Sequence, residues 1–164
     1  MKTTVLNDRQ IEQKINRIAY EILENNYQSL KLILVGIKGN GYSLAEKLSS
    51  ILSDISEQEI VLAEIAIDKN DPLSRPIELS IEIEETENQT IILVDDVINS
   101  GKTMQYALMK LLEKPTERIK TVTLVDRKHR RYPIRVDYVG LTLSTTLQDR
   151  IEVDFEEGPV AYLV

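Results

Sequence analysis

The chain has 164 residues, 20 basic and 27 acidic, a formal net charge of −7 and 42% apolar residues, enough for one core and one domain spanning 1–164. It has no cysteine and a single histidine, His129, which excludes disulfide scaffolds, thiolate metal sites and multi-histidine metal centres. No apolar run approaches the ~18 residues of a membrane span, and Asp8 and Arg9 interrupt the start too soon for a secretory signal, so the expectation is a soluble cytoplasmic protein without membrane contact.

Asn7 or Asp8 can cap a first helix, whose apolar face is Ile11, Ile15, Ile18 and Ile22 and whose end lies near Asn25–Asn26. Leu32 to Val35 is a short continuous apolar run, the mark of a strand buried on both faces. Gly36 to Gly41 breaks it, and Leu44, Leu48, Leu52 and Ile55 predict a second helix. Ile60 to Ile67 reads as a strand and Asp68 to Pro76 as a polar loop. Ile77, Leu79, Ile81 and Ile83 then alternate with polar residues, predicting a strand with one wet face. Residues 68–83 thus form an excursion from the core, read as a mobile hairpin arm. Ile91 to Val94 is a second doubly buried strand. Met104, Ala107, Leu108, Leu111 and Leu112 predict the next helix, stopped by Pro115, and Val122–Val125 and Tyr138–Leu141 are further strands. The tail from Ile151 has short apolar stretches with no clear period. Tyr20, Tyr42 and Tyr106 lie near helical apolar stripes and read as packing residues.

Alternating strands and helices predict an α/β fold with a mainly parallel sheet. Ligands of such sheets sit beyond the carboxyl ends of the strands, so the informative segments follow Val35, Val94 and Val125.

Charge is uneven. Residues 51–100 carry 13 acidic and 2 basic groups, whereas each flanking segment is net +2. So acidic a chain does not hold nucleic acid by a broad field. A local exception is Arg127, Lys128, His129, Arg130, Arg131 and Arg135, which reads equally as an anion site or a solvated loop.

The strongest chemistry follows Val94. Asp95 and Asp96 leave a buried strand together, and Val97 and Ile98 lead into the turn Asn99-Ser100-Gly101-Lys102-Thr103, which opens a helix. Free N–H groups at a helix N-terminus bind phosphate, Ser100 and Thr103 add hydroxyls, and Gly101 permits close approach. The carboxylates must face something other than the phosphate, hydroxyls or a cation, and a phosphorylated sugar supplies both parts. Two rival motifs fail on a required residue. A phosphate loop ending in Ser-Gly-Lys-Thr needs glycine where Asp96 stands. A dinucleotide fingerprint starting at Gly39 and Gly41 needs a small residue where Leu44 stands. Lys38 follows a buried strand and reads as a site lysine. Arg127 lies at another strand end, as a site residue or half of an Asp126–Arg127 surface pair.

The segment Ile91–Thr103 resembles the signature that binds phosphoribosyl pyrophosphate (PRPP) in type I phosphoribosyltransferases: an apolar strand, two acidic residues, two apolar ones, then a small Gly-containing turn. Within that family the chain is most similar to the bifunctional pyrimidine operon attenuator/uracil phosphoribosyltransferases. The similarity is carried by Ile33–Lys38 with Gly41, by Leu124–Arg130, by Pro133–Gly140 and by the helix segment Arg17–Ile22, and it runs from about residue 7 to 153.

The resemblance implies a doubly wound, mainly parallel sheet of about five strands, a small hood over 141–164 and a mobile β-hairpin arm over 68–83. Asp95 and Asp96 would hydrogen-bond the ribose hydroxyls. The turn Asn99, Ser100, Gly101, Lys102 and Thr103 would hold the 5′-phosphate. Lys38, Gly39 and Arg127 would meet the pyrophosphate. Mg²⁺ would be held mainly by the substrate, with help from Asp95 and Asp96. The reaction would transfer the phosphoribosyl group to a nucleobase, uracil by the resemblance, and release pyrophosphate. A homodimer or higher homo-oligomer is implied. The family's aromatic–arginine pair at the arm is replaced by Ile67-Asp68-Lys69-Asn70-Asp71-Pro72, leaving Lys69 and Arg75 as arm cations. Asn99-Ser100 stands where Tyr-Thr is frequent, Leu141 where lysine is usual after Gly140, and Ser144–Asp149 also diverges. The PRPP half of the pattern is therefore fuller than the base half. Two alternatives stay open: a non-catalytic PRPP- or nucleotide-binding protein, and an RNA-binding regulator using Arg17 and the 127–135 cluster, which the net charge disfavours.

Overall fold

The computed structural model describes residues 2–146, 148–156 and 158–164; Met1, and Leu147 and Glu157 of the expected hood, lie outside the described residues. In chain order the elements are β1 (Thr3–Leu6), α1 (Asp8–Asn25), β2 (Lys31–Ile37), α2 (Asn40–Ile55), β3 (Glu59–Ala66), β4 (Glu78–Leu79), a 3-10 turn (Ile83–Thr86), β5 (Thr90–Ile98), α3 (Lys102–Leu111), β6 (Arg118–Asp126), β7 (Tyr138–Thr142), β8 (Ile151–Asp154) and β9 (Val160–Leu163). No helix among the described residues is long and apolar enough to cross a membrane.

The main sheet has the order β4-β3-β2-β5-β6-β7. β3, β2, β5, β6 and β7 run parallel, the expected five, and β4 joins β3 antiparallel. The continuous apolar runs have a simple cause: both faces of the sheet are covered. Leu32, Leu34, Ile92 and Val94 pack with Ile11, Ile15, Ile18, Leu44 and Leu48 of α1 and α2. Ile33, Val35, Ile91 and Leu93 pack on the other face with Met104, Ala107 and Leu111 of α3. Asn7 caps α1 in a capping box, accepting from the Gln10 N–H at 2.9 Å while its own N–H donates to the Gln10 side chain at 2.9 Å.

The expected strand over 77–83 is a correction. Only Glu78 and Leu79 join the sheet, opposite Ala66 and Ile65, and the chain then turns into the 3-10 segment. Ile77, Leu79 and Ile81 do pack inward. The period of two therefore reports alternating burial, while the Glu82–Glu85 capping box ends the extended run.

The region expected as hood divides. Leu141 and Thr142 belong to β7 of the main sheet, and a second, three-stranded antiparallel sheet has the order β1-β9-β8. Its third strand, Thr3–Leu6, comes from the start of the chain, where the sequence shows no strand pattern. Ile151, Val153 and Ala161 seat this sheet on the main core, and the Asn40 side-chain amide donates to the Val153 carbonyl at 2.7 Å.

Candidate active site

The candidate residues gather beyond the carboxyl ends of β2, β3, β5 and β6, as the parallel topology requires. β5 carries the acidic pair near its carboxyl end, with only Val97 and Ile98 beyond it. Asp95 is buried, 4% exposed, and Asp96 is half-buried. The Asp95 Oδ1 accepts the Asp96 backbone N–H at 2.9 Å, and the Thr123 hydroxyl donates to the Asp96 carbonyl at 3.0 Å. Burial raises the Asp95 pKa well above the ordinary carboxylate range, the neighbouring charge of Asp96 adds to the rise, and Lys69 opposes it. Gly41 in the first turn of α2 permits this arrangement, because a Cβ there would lie 2.9 Å from the Asp95 Oδ1.

The turn after β5 is built from distant segments. Gly101 caps α3 with φ +85°. A Cβ on it would meet the Ile134 Cγ2 at 2.3 Å, so glycine is required on both grounds. The backbone N–H groups of Arg131 and Tyr132 donate to the Ser100 carbonyl at 2.9 and 3.1 Å. The Lys102 N–H donates to the Ser100 hydroxyl at 3.3 Å, and the Gln105 N–H to the Gly101 carbonyl at 2.9 Å. A cavity of about 110 Å³ lies on this turn, lined by Lys69, Asp95 and residues from Val97 to Met104. All five residues expected at a phosphate, Asn99 to Thr103, thus line one cavity together with one member of the acidic pair.

A second cavity, of about 330 Å³, lies beside the end of β2. Lys38, Asp68 and Arg75 line it with Ala66, Ile67, Pro76 and Glu78. Lys38 is exposed and is held by its backbone, whose N–H donates to the Ile65 carbonyl at 2.9 Å. Gly39, with φ +98°, starts α2 immediately beyond it. Lys38 and Arg75, far apart in sequence, are therefore brought to one place, and Lys69 is brought to the other.

Arg127 sits differently. It is 7% exposed, and its guanidinium points to its own chain. Nη1 donates to the Asn99 Oδ1 at 2.8 Å, Nε to the Thr145 hydroxyl at 2.9 Å, and Nη2 to the Thr146 carbonyl at 3.0 Å and to the Asp149 carbonyl. It ties the turn after β5 to the segment leading into β8. His129 supports the same segment through Nε2 and the Thr145 carbonyl, 2.8 Å apart. Asp126 pairs with Arg130 at 2.9 Å, not with Arg127, and Arg130 also donates to the Asn99 carbonyl at 3.0 Å. Nothing in the local sequence marks residues 130–134 as shaping the turn, because a contact between Gly101 and Ile134 leaves no local pattern. Among the described residues no cluster of three or more acidic or histidine side chains could hold a metal by itself.

Comparison with known proteins agrees with this geometry. Residues 2–157 match the model of the phosphoribosyl transferase domain. The chain is 36% identical over 169 aligned positions to proteins named "Bifunctional protein PyrR" from Bacillus cereus (strain AH820) and Bacillus thuringiensis subsp. konkukian (strain 97-27), covering 95% of this chain and 92% of each relative. Among solved structures, a hypoxanthine-guanine phosphoribosyltransferase from Bacillus anthracis superposes with a TM-score of 0.79 at 17% identity, covering 99% of this chain and 96% of that one. The hypoxanthine phosphoribosyltransferase of Trypanosoma cruzi superposes with a TM-score of 0.77 at 16% identity, covering 97% and 95%. At such identities these two structures speak for the fold.

Proposed function

The chain belongs to the phosphoribosyl transferase family and is an enzyme of PRPP-dependent transfer to a base; from that premise we propose that its acceptor is uracil and that Asp95, Asp96 and the turn Asn99–Thr103 hold the phosphoribosyl group. The observation that carries the assignment is the continuity of β5, Asp95 and the N-terminus of α3 around one small cavity. The α3 N–H groups and the Ser100 and Thr103 hydroxyls face the 5′-phosphate, and Asp95 and Asp96 face the ribose hydroxyls. Lys38, Gly39 and Arg75 receive the pyrophosphate at the neighbouring cavity. Arg127 acts on the same site from behind, through Asn99.

The reaction breaks the bond from C1 of the ribose to pyrophosphate and forms one from C1 to a ring nitrogen of the base. Positive charge develops on the ribose, so the carboxylates of Asp95 and Asp96 favour that state electrostatically. Lys38 and Arg75 neutralise the departing pyrophosphate. Positioning by a fixed strand end and a fixed turn supplies much of the rest. The residues fit Mg²⁺ carried in with the substrate: two adjacent carboxylates, one disfavoured as an anion by burial and then by the other's charge, offer hard oxygen donors, too few for a site of their own. When bound, the ion would neutralise pyrophosphate charge. A homodimer in the cytoplasm completes the proposal, the dimer to be checked by light scattering.

Uracil rests on the similarity to the uracil-specific branch of the family carried by Leu124–Arg130 and Pro133–Gly140. The test is pyrophosphate release from PRPP and Mg²⁺ with uracil, guanine, hypoxanthine, xanthine, adenine and orotate in turn. Release with uracil alone is the expected outcome. Release only with a purine overturns the acceptor and keeps the reaction; PRPP binding without release for any base selects a silent binder.

A further inference from the structure

Residues 51–100 contain only two basic side chains, Lys69 and Arg75, and both lie on the arm. The structure sends them to different places. Asp68 folds the arm into a knuckle: its Oδ1 accepts the N–H groups of Asn70 and Asp71 at 3.0 and 3.1 Å, and its Oδ2 holds Arg75 at 3.3 Å. Asp68 and Arg75 line the cavity of Lys38. Lys69, one residue on, lines the other cavity, with Asp95 and the turn that opens α3. The knuckle thus stands between the two cavities and gives one cation to each.

The geometry points to Lys69 as the arm's ligand for the 5′-phosphate of the phosphoribosyl group, leaving the pyrophosphate to Lys38 and Arg75. The inference rests on the turn being the 5′-phosphate subsite, as proposed above. Its chemical logic is charge balance. A phosphate monoester carries close to two negative charges at neutral pH. The N-terminus of α3 offers about half a positive charge, and Lys102 one more. The Asp95 carboxylate lines the same small cavity and works against the anion. A second ammonium on that wall offsets Asp95, and its charge already acts on Asp95 in the direction that favours the ionised carboxylate.

The test separates the two anions. Calorimetry with Mg²⁺ measures ribose 5-phosphate and inorganic pyrophosphate, each alone, against the wild-type protein, Lys69→Met and Lys69→Arg. The Met variant is expected to bind ribose 5-phosphate about tenfold more weakly, the scale of one charged hydrogen bond, with pyrophosphate changed less than about twofold. The Arg variant should recover most of the loss. Because Lys69 is exposed, both variants should keep the wild-type melting temperature. An unchanged affinity for ribose 5-phosphate, or a loss as large for pyrophosphate, overturns the role of Lys69 while wild-type binding keeps the turn as the phosphate subsite. A wild-type protein that binds PRPP but whose ribose 5-phosphate binding is untouched by Gly101→Ala overturns the subsite itself and the inference with it.

Discussion

Asp95 is the residue where the proposed function and stability oppose each other. Burial and the charge of Asp96 lift its pKa above the ordinary value, so the folded chain binds that proton more tightly than the unfolded chain does. Stability therefore falls as pH rises from the ordinary carboxylate range through the raised value, and the loss persists at neutral pH. Asp95→Asn keeps the oxygen that accepts the Asp96 N–H and removes the buried charge. At pH 7 without ligand it should gain about 1 kcal/mol, which is about 2–4 °C in melting temperature, while PRPP turnover falls. A lowered melting temperature in scanning calorimetry would argue that the carboxylate is not strained. Asp96→Asn addresses the chemistry more directly: kcat should drop about 10²-fold, and unchanged turnover would remove Asp96 from the reaction. Gly101→Ala meets both a left-handed backbone and Ile134, so it should destabilise the fold by more than about 1 kcal/mol in denaturant titration and weaken PRPP binding. Adding Ile134→Ala should relieve only the steric share. The acidic pair and its turn were legible because they are contiguous. Gly41 against Asp95 and Ile134 against Gly101 were not, because those contacts join segments dozens of residues apart.

Elements divide along the same line. The helices and doubly buried strands could be read from periodicity and continuous apolar runs, since long elements carry their own pattern. The four-residue strands β1, β8 and β9 could not, since they are strands only by virtue of each other. The arm's expected strand over 77–83 shortens to Glu78–Leu79, because alternation in burial runs on past the residues that pair with β3. What organises the arm is Asp68, whose pKa lies below the ordinary value because the Asp71 and Asn70 N–H groups, and secondarily Arg75, favour its carboxylate. That stabilisation is complete above the ordinary carboxylate pKa and is lost as pH falls through the depressed one. At neutral pH, Asp68→Ala should therefore speed amide exchange at Asn70 and Asp71 while β3 keeps its protection. Equal exchange in both proteins would mean that the knuckle holds without its carboxylate.

At the scale of the molecule, three arginines of the basic stretch from 127 to 135 are engaged within the chain, while Lys128 and Arg131 are exposed. Arg127 holds Asn99, Thr145, Thr146 and Asp149, Arg130 holds Asp126, and the exposed Arg135 holds Asp137 at 2.8 Å. Arg17, the other cation considered for a nucleic acid, pairs with Glu21 at 2.6 Å and donates to the Val139 and Gly140 carbonyls. Filter binding at low salt should accordingly show no strong retention of RNA; retention that declines steeply with salt would show that these pairs open. The parallel architecture and the position of the crevice followed from strand–helix alternation, whereas the pairing of these cations, local for Arg17, Arg130 and Arg135 with their carboxylates and long-range for Arg127 with Asn99, is invisible in a charge count. The bridge made by Arg127 also has a bearing on time. Nη1 grips the turn after β5 at Asn99, and Nη2 grips the backbone that leads into the second sheet. On the proposed reading, occupying the turn steadies that backbone before any base is present, so the two substrates should enter in one order only. PRPP should bind first and pyrophosphate leave before the nucleotide, a compulsory sequence visible in product-inhibition patterns and turned into random entry by Arg127→Met.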